Sequence, residues 1–317
     1  LSNFIPEGGI WMNTQRPEWN DANNALVGKG LSVVTAAYLR RYIVFCRSLF
    51  AGQTAALRLT GEVNALLTAV SSILAGHQSA LAAGFDDATR RAVMDALGAA
   101  AGDYRWRIYR TGFAGDFVDV APASVLALLD AALAYIDQTL RANRRSDGLY
   151  HAYNILKLGE GTASVEPLYE MLEGQVAILS SGLLSGEEAL AVLHQLRASR
   201  LFRVDQHSYI LYPDRELPGF LQKNQIPAQK VAGLALIAQM ETRRDERLLA
   251  RDETGVYHFN GVFRNAQEVA ATLHSLRTDA ELAELVDAET PAILALFEET
   301  FNHRAFTGRS GTFFAFE

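Results

Sequence analysis

Apolar residues recur every three to four positions along most of this chain, which is the spacing of one helix face. The first run lies between 31 and 49, and a second follows from 57 to 83. Asp86 and Asp87 then precede a third run and suit a helix N-cap. The remaining runs predict helices over 86–107, 124–144, 168–179, 186–197, 228–239, 265–276 and 280–301.

Strand patterns are few and short, at 202–204, 209–211 and 256–259. The pattern therefore predicts a mainly α fold: an incomplete (α/α)6-toroid-like array of antiparallel helical hairpins, with a few short strands in loops. We expect one catalytic domain over 1–317, truncated at both ends as a fragment of a longer protein. Loops longer than about 12 residues are uncommon unless they carry function, and such a ring gathers alternate loops around one mouth. The long loops are 1–24, 144–166 and 200–227.

Composition excludes several function classes. The net charge is −7, from 29 Lys and Arg against 36 Asp and Glu, whereas nucleic-acid surfaces require clustered cations. The single cysteine, Cys46, permits no disulfide within the chain and fits a reducing compartment, so we expect a cytoplasmic protein. No apolar run approaches the roughly 18 residues of a membrane span. The histidines lack metal-ligand spacing, and we expect neither a metal nor a cofactor.

The densest polar cluster lies directly before the first helical run. Two carboxylates, a tryptophan and three asparagines occupy residues 18–24. A carbohydrate site needs an acid for the glycosidic oxygen, an aromatic face for the sugar and amides for its hydroxyls. The alternative is a solvated loop, because Asn and Asp are common before helices for local reasons. The candidate residues are Glu18, Trp19, Asn20, Asp21 and Asn23.

A second polar and aromatic cluster contains Tyr150, His151 and Tyr153. Tyrosine rings offer stacking faces and hydroxyls, and histidine can bond sugar hydroxyls. Glu173 and Gln175 interrupt an otherwise apolar helix pattern nearby in sequence. Buried polar side chains need partners, so both could face a cavity or a polar network. The alternative for the tyrosines is an amphipathic helix-to-loop junction at the surface.

The C-terminal segment combines cationic side chains, hydroxyls and two glycines within ten residues. Oxyanions such as phosphate are bound by this mixture of charged groups, hydroxyls and bare N–H groups. The segment lacks the closing lysine of nucleotide-binding loops. The alternative is a basic turn that pairs with Glu298 and Glu299. The candidate phosphate-binding residues are His303, Arg304, Thr307, Gly308, Arg309, Ser310 and Thr312.

These clusters, in this order, resemble motifs of the cellobiose-phosphorylase family, glycoside hydrolase family 94. Residues 18–23, Glu-Trp-Asn-Asp-Ala-Asn, resemble the Asp-Trp-Asn-Asp signature that precedes a helix of an (α/α)6 toroid. Residues 175–180 are similar to the Gln-Thr-Trp-Ala-Val-Leu-Ser segment of that family, with Val-Ala-Ile here. Residues 212–224 and 307–312 are similar to a Pro-Gly…Glu-Asn loop and to a C-terminal Thr-Gly phosphate loop. The chain is interpreted as a divergent relative.

The resemblance implies a role for each matching position. The general acid of the family is the first carboxylate of the signature, which falls on Glu18, where the family has Asp. Asp21 would orient the site or contact sugar, and Asn20 would hydrogen-bond it. Inverting phosphorolysis needs one protein carboxylate, because phosphate attacks the anomeric carbon from the opposite face.

We therefore expect inverting phosphorolysis of β-linked glucosides or oligosaccharides, with Glu18 or Asp21 as proton donor and inorganic phosphate as co-substrate. If water attacks instead, an inverting hydrolase needs a second carboxylate about 6.5–9.5 Å from the acid, and Glu173 is the candidate. The chain could also be a non-catalytic glycan-binding or structural helical module of a larger enzyme, or a helical scaffold for proteins. The expected partners are an oligosaccharide, together with the rest of a longer polypeptide or a second copy, and neither nucleic acid nor membrane.

Overall fold

A computed structural model of the chain describes residues 1–12, 26, 28–213 and 218–301. These residues form two compact units, and each has its own apolar core. The first unit comprises 1–12, 26 and 28–213, and the second comprises 218–301. The expectation of a single catalytic domain over the whole chain stays a prediction.

A five-stranded antiparallel sheet, curled into a half-barrel, lies in the first unit. Its strands, in spatial order, are β1 (Phe4–Ile5), β2 (Gly9–Trp11), β3 (Gly30–Ser32), β6 (Tyr153–Gly159) and β7 (Thr162–Pro167). The third strand therefore pairs with a strand more than 120 residues later in the chain. Gly9 has a φ of 119°, and a Cβ there would lie 2.7 Å from the Ser32 carbonyl, so only glycine permits this approach of the second and third strands.

Helices pack against this sheet and build most of the core of the first unit. They are α1 (Val33–Phe50), α2 (Gly61–Gly76), α3 (Ala80–Ala83), α4 (Asp87–Thr111), α5 (Pro122–Ala142), α6 (Leu172–Ser180) and α7 (Gly186–Ala198). Asp86 caps α4, because its Oδ1 accepts from Thr89 N at 2.7 Å. Two short hairpins complete the unit: β4 (Leu57–Thr60) with β5 (Phe117–Val120), and β8 (Phe202–Arg203) with β9 (Ser208–Tyr209).

The expected toroid-like array of helical hairpins is wrong. About 54% of the chain is helical, but α1 packs against β2 and β6, and α4 packs against β1 and β7, rather than continuing a ring of helix pairs. Much of the sheet comes from the segments 1–24 and 144–166, which were expected to be loops. The hairpin of β6 and β7 turns at Glu160 and Gly161, and the alternation of Leu156, Leu158, Ala163 and Val165 around it is a strand signal.

Further corrections are local. Residues 57–60 were expected to begin a helix, yet they form β4, and Thr60 instead caps the helix that follows. On α1 the buried residues are Val33, Ala36, Ala37 and Ile43, whereas the large side chains of the expected apolar stripe, Tyr38, Tyr42, Phe45 and Leu49, are exposed.

Among the described residues, α5 is long and apolar enough, by length and composition alone, to cross a membrane. A helix in a protein core passes the same test, and α5 packs against α1 and α2. Its Tyr135 is 1% exposed and donates from Oη to Leu74 O at 2.6 Å. The expectation that the chain does not bind membranes stays a prediction.

The second unit is a small helical layer over one hairpin. Its core centres on Phe259, Phe297 and Phe301, whose rings pack with centroids 4.8 to 6.0 Å apart. The expected strand at 256–259 is present and pairs with a strand that the pattern missed. The elements are α8 (Phe220–Lys223), α9 (Ala228–Val231), α10 (Ala235–Thr242), β10 (Leu249–Arg251), β11 (Tyr257–Phe259), α11 (Ala266–Leu276) and α12 (Ala283–Phe301).

Candidate functional site

The acid signature at 18–23 and the anion segment at 303–312 lie outside the described residues, so their roles stay predictions. The structure does describe where the signature segment leaves and rejoins the sheet. Gly28 N donates to Met12 O at 2.8 Å, and Met12 N donates to Gly30 O at 2.8 Å. The Trp11 indole adds a bond from Nε1 to Gly28 O at 3.2 Å. The segment therefore connects β2 to β3 and begins and ends at the amino-terminal end of β3.

Tyr153 on β6 and Glu173 on α6 are in contact at the other end of β3. Tyr153 lies opposite Ser32, the last residue of β3, and its ring is 3% exposed. Its hydroxyl donates to Glu173 Oε2 at 2.5 Å. Burial, followed by this hydrogen bond to the carboxylate, raises the pKa of Tyr153 well above its usual range. The phenol thus keeps its proton and acts as a donor that orients Glu173 on the first turn of α6.

Gln175 is fully buried, and its amide bonds to backbone groups. Its Oε1 accepts from Tyr150 N at 2.9 Å, and its Nε2 donates to Tyr150 O at 2.7 Å and to Met171 O at 3.0 Å. These bonds fix the backbone of Tyr150, whose side chain is 3% exposed. The polar network expected around Gln175 is therefore present. The assignment of Tyr150 and Gln175 to substrate binding stays a prediction.

His151 is half-buried and presents one ring nitrogen as an acceptor. Burial lowers the pKa of its imidazole, so the ring is neutral near pH 7. Its Nδ1 lies 2.8 Å from Leu168 O, and a carbonyl oxygen can only accept, so the proton is on Nδ1. The lone pair on Nε2 can therefore accept a hydrogen bond, for example from a sugar hydroxyl.

The turn between β1 and β2 is held by a buried ion pair that the sequence analysis missed. Glu7 has a φ of 61°, in the left-handed region that a non-glycine residue adopts only under constraint. Arg90 is 6% exposed and donates from Nη2 to Glu7 Oε2 at 2.8 Å. Its other donors bond the carbonyls of Pro6, Phe85 and Ala163 and the carboxylate of Asp87. The bonds to Pro6 and Glu7 fix the start of the strand that leads to the signature, and the others hold Arg90 in place.

Amides extend this buried network across the sheet. Gln138 Nε2 donates to Glu7 Oε1 at 2.8 Å, and Asn143 Nδ2 donates to Glu7 O at 2.8 Å. Asn154 on β6 donates to Gly8 O and to Asn143 Oδ1, both at 2.8 Å. The network therefore links α4, α5 and β6 to one turn, as a support for the sheet rather than as an open pocket.

The second unit has a cleft of about 310 Å³ between α10 and the hairpin of β10 and β11. Its floor is apolar, from Ile237, Met240 and Leu249. On its wall, Glu241 accepts from Tyr257 Oη at 2.6 Å and from Arg251 Nη1 at 2.9 Å. The charged residues that line it are Glu241, Arg244, Asp245, Glu246, Arg251, Asp252 and Glu253. Carboxylates outnumber guanidinium groups among them, so the cleft has an excess of negative charge.

Asp252 and His258 form an ion pair beside this cleft. His258 Nε2 lies 3.0 Å from Asp252 Oδ2, and His258 Nδ1 lies 2.5 Å from Asn224 O. Asp252 Oδ1 also accepts from Thr254 and from Val256 N. The His258 bond, together with these other donors, holds the pKa of the Asp252 carboxyl far below its usual range. The same contact raises the pKa of His258.

Neither the group of Glu7 and Arg90 nor that of Asp252 and His258 was predicted from the sequence. Only one signal pointed to the second: Asp252-Glu253-Thr254-Gly255 has the composition of a turn between strands. Among the described residues, no group of three or more His, Cys, Asp or Glu is placed to hold a metal ion.

One family model matches the chain, that of the GH149 phosphorylase insertion domain 2, over residues 217–304. The matched stretch contains the second unit and its cleft. This match supports a relation to glycoside phosphorylases, but not to family 94 specifically. No curated protein matches the chain.

Proposed function

We propose that this chain belongs to a glycoside phosphorylase that cleaves β-linked glucosides or oligosaccharides with inversion. The match of residues 217–304 to a phosphorylase insertion domain carries the proposal. It supports the same enzyme class as the acid signature at 18–23, which lies outside the match, and as the anion segment at 303–312, whose first two residues lie within it.

The proposed chemistry is a single displacement. Glu18 or Asp21 donates a proton to the glycosidic oxygen as the bond from that oxygen to the anomeric carbon breaks. A phosphate oxygen forms the new bond from the opposite face, so a β-linked sugar leaves as an α-sugar 1-phosphate. The proton lost by the attacking phosphate restores the acid through solvent. Side chains of the 303–312 segment, above all Arg304 and Arg309, neutralise the phosphate.

The described residues contribute acceptors and fixed backbone rather than the acid. His151 offers the lone pair on Nε2, and Glu173 is oriented by Tyr153. Phosphorolysis needs no second protein carboxylate, because phosphate takes the place of the activated water of an inverting hydrolase.

The test incubates the full chain with a panel of β-linked glucose di- and oligosaccharides, with and without inorganic phosphate, and measures sugar 1-phosphate and free sugar. We expect sugar 1-phosphate only when phosphate is present, and a loss of roughly 10²–10⁴-fold in Glu18→Gln or Asp21→Asn. Free sugar formed at equal rates with and without phosphate would instead identify a hydrolase. The proposal also fails if a folded sample yields neither product, or if both variants remain fully active.

A further inference from the structure

His258 is held between two acceptors in the second unit. A backbone carbonyl oxygen can only accept a hydrogen bond, and so can an ionised carboxylate. Asn224 O and Asp252 Oδ2 lie against the two ring nitrogens, at 2.5 and 3.0 Å. Both nitrogens must therefore carry a proton for both bonds to exist. This geometry requires the imidazolium form.

Neither acceptor can turn away from the ring by rotation of its own side chain or peptide group alone. The side chain of Asn224, 2% exposed, bonds both backbone groups of Phe259 at 2.8 Å: its Oδ1 accepts from N and its Nδ2 donates to O. Asp252 Oδ1 is fixed by Thr254 N, Thr254 Oγ1 and Val256 N, at 2.7 to 2.9 Å. Loss of one ring proton therefore places a lone pair against an oxygen that can leave only if its whole segment moves, and this contact is repulsive.

Asp252 is the charged group that acts on the His258 ring. Adjacent residues of a strand point to opposite faces, so the side chain of Tyr257 lies on the other side of the hairpin from that of His258. There Tyr257 and Arg251 both donate hydrogen bonds to Glu241. Lys223 is the last residue of α8, and Glu253 is an exposed residue of the turn. Of the described groups, Asp252 provides the charge that raises the pKa of His258.

We propose that His258 is a pH-dependent latch. As an imidazolium it ties the turn 252–255, which forms one rim of the cleft, to Asn224, and on losing one ring proton it releases that turn. The released turn opens the rim, because Asp252, Glu253 and Gly255 all line the cleft. The proposal concerns the second unit and does not depend on the reaction proposed above.

The pH window follows from the sign of the pKa shift. The pKa of His258 is higher in the folded protein than the ordinary value of about 6.5. The stabilisation is therefore complete below about pH 6.5 and is lost as the pH rises through the folded pKa. The latch is closed on the acidic side and open on the alkaline side.

The Asp252→Asn variant tests this geometry directly. Its Oδ1 can keep the bonds from Thr254 and Val256, while its Nδ2 replaces Oδ2 and can donate to the lone pair of a neutral His258. Both ring contacts then survive without the ring charge, so the latch should stay closed at high pH. Asp245→Asn is the matched control, because Asp245 lines the same cleft but pairs with Arg247.

The measurement is NMR on the full-length protein: the nitrogen shifts of the His258 ring and the exchange of the 254–257 amides, corrected for the intrinsic rate at each pH. We expect both ring nitrogens to be protonated below the folded pKa, and amide protection to fall roughly tenfold above it. Asp245→Asn should keep this dependence and Asp252→Asn should lose it. The latch is overturned if His258 titrates at or below about 6.5, if protection does not change with pH, or if Asp252→Asn behaves as wild type. The ring shifts of the wild type decide the matter even if a variant fails to fold.

Discussion

The Tyr153 hydroxyl lies 2.5 Å from Glu173 Oε2, so the carboxylate that sequence reasoning offered as a second catalytic acid or base already accepts a hydrogen bond from a buried phenol. An amide oxygen can accept the same bond. Glu173→Gln therefore keeps the contact and removes only the charge. If phosphate is the nucleophile, we expect kcat for phosphorolysis to change by less than about tenfold, against the loss of roughly 10²–10⁴-fold for the acid. Steady-state kinetics with saturating phosphate measure this, and a loss as large as that of Glu18→Gln would contradict it.

Arg90→Met should destabilise the first unit strongly. The substitution leaves Glu7 as a partly buried carboxylate without its cation, and removal of one member of a buried pair costs about 3–5 kcal/mol. Arg91→Met is the matched control, since Arg91 sits on the same helix and pairs with Asp95 in a more exposed position. We expect less than about 1 kcal/mol there. Urea unfolding of both variants measures the difference. Equal urea midpoints would show that the buried pair adds nothing to the free energy of unfolding.

Gln175→Leu should lower the free energy of unfolding by about 2–5 kcal/mol. The variant leaves the backbone N–H and C=O of Tyr150 and the C=O of Met171 without this partner, at about 1–3 kcal/mol for each buried group. Gln195→Leu, on the exposed face of α7, should stay within about 0.5 kcal/mol. Thermal unfolding of the two variants makes the comparison. A stable Gln175→Leu protein with a raised KM would instead assign the amide to the substrate.

Asn224→Asp should disrupt the second unit although it changes one atom. The new carboxylate oxygen would face Phe259 O, which now accepts from Nδ2, so a buried repulsion replaces a hydrogen bond. We expect a loss of about 2 kcal/mol or more. Asn260→Asp makes a similar replacement near the surface, where Asn260 Nδ2 donates to Glu246 O, and water can compensate. Hydrogen exchange of the β11 amides reports on this unit, and similar protection in both variants would refute the argument.

Helices were predictable where local signals agreed. The Asp86 cap and the apolar period located α4 to within one residue at its start, and Ser185 with Glu188 forms the capping box of a helix that the pattern also found. The buried face of α1 was harder to predict, because Ala36 and Ala37 pack inward while its tyrosines are exposed. Size and hydrophobicity alone do not identify the packed face of a helix that rests on small residues.

The sheet and the two ion-paired groups could not be predicted from local pattern. The first three strands have only two or three residues each. This is too few for an alternation of apolar and polar residues to be recognised. Glu7 and Arg90 are 83 residues apart, and His258 depends on a carbonyl 34 residues earlier. Such contacts arise from the tertiary fold, so no spacing rule in the sequence encodes them.

The pairing of β3 with β6 sets an order of events during synthesis. Gly30 must find Ile155, and the ends of so long a loop meet slowly. At roughly 5–20 residues per second, the ribosome needs on the order of ten seconds to make the intervening chain. Throughout that interval β6 is missing, so Leu31, which is fully buried in the finished sheet, lies on an unpaired strand edge. The first three strands therefore expose apolar side chains to misassembly until β6 is made, and we expect a chaperone to aid folding at that stage.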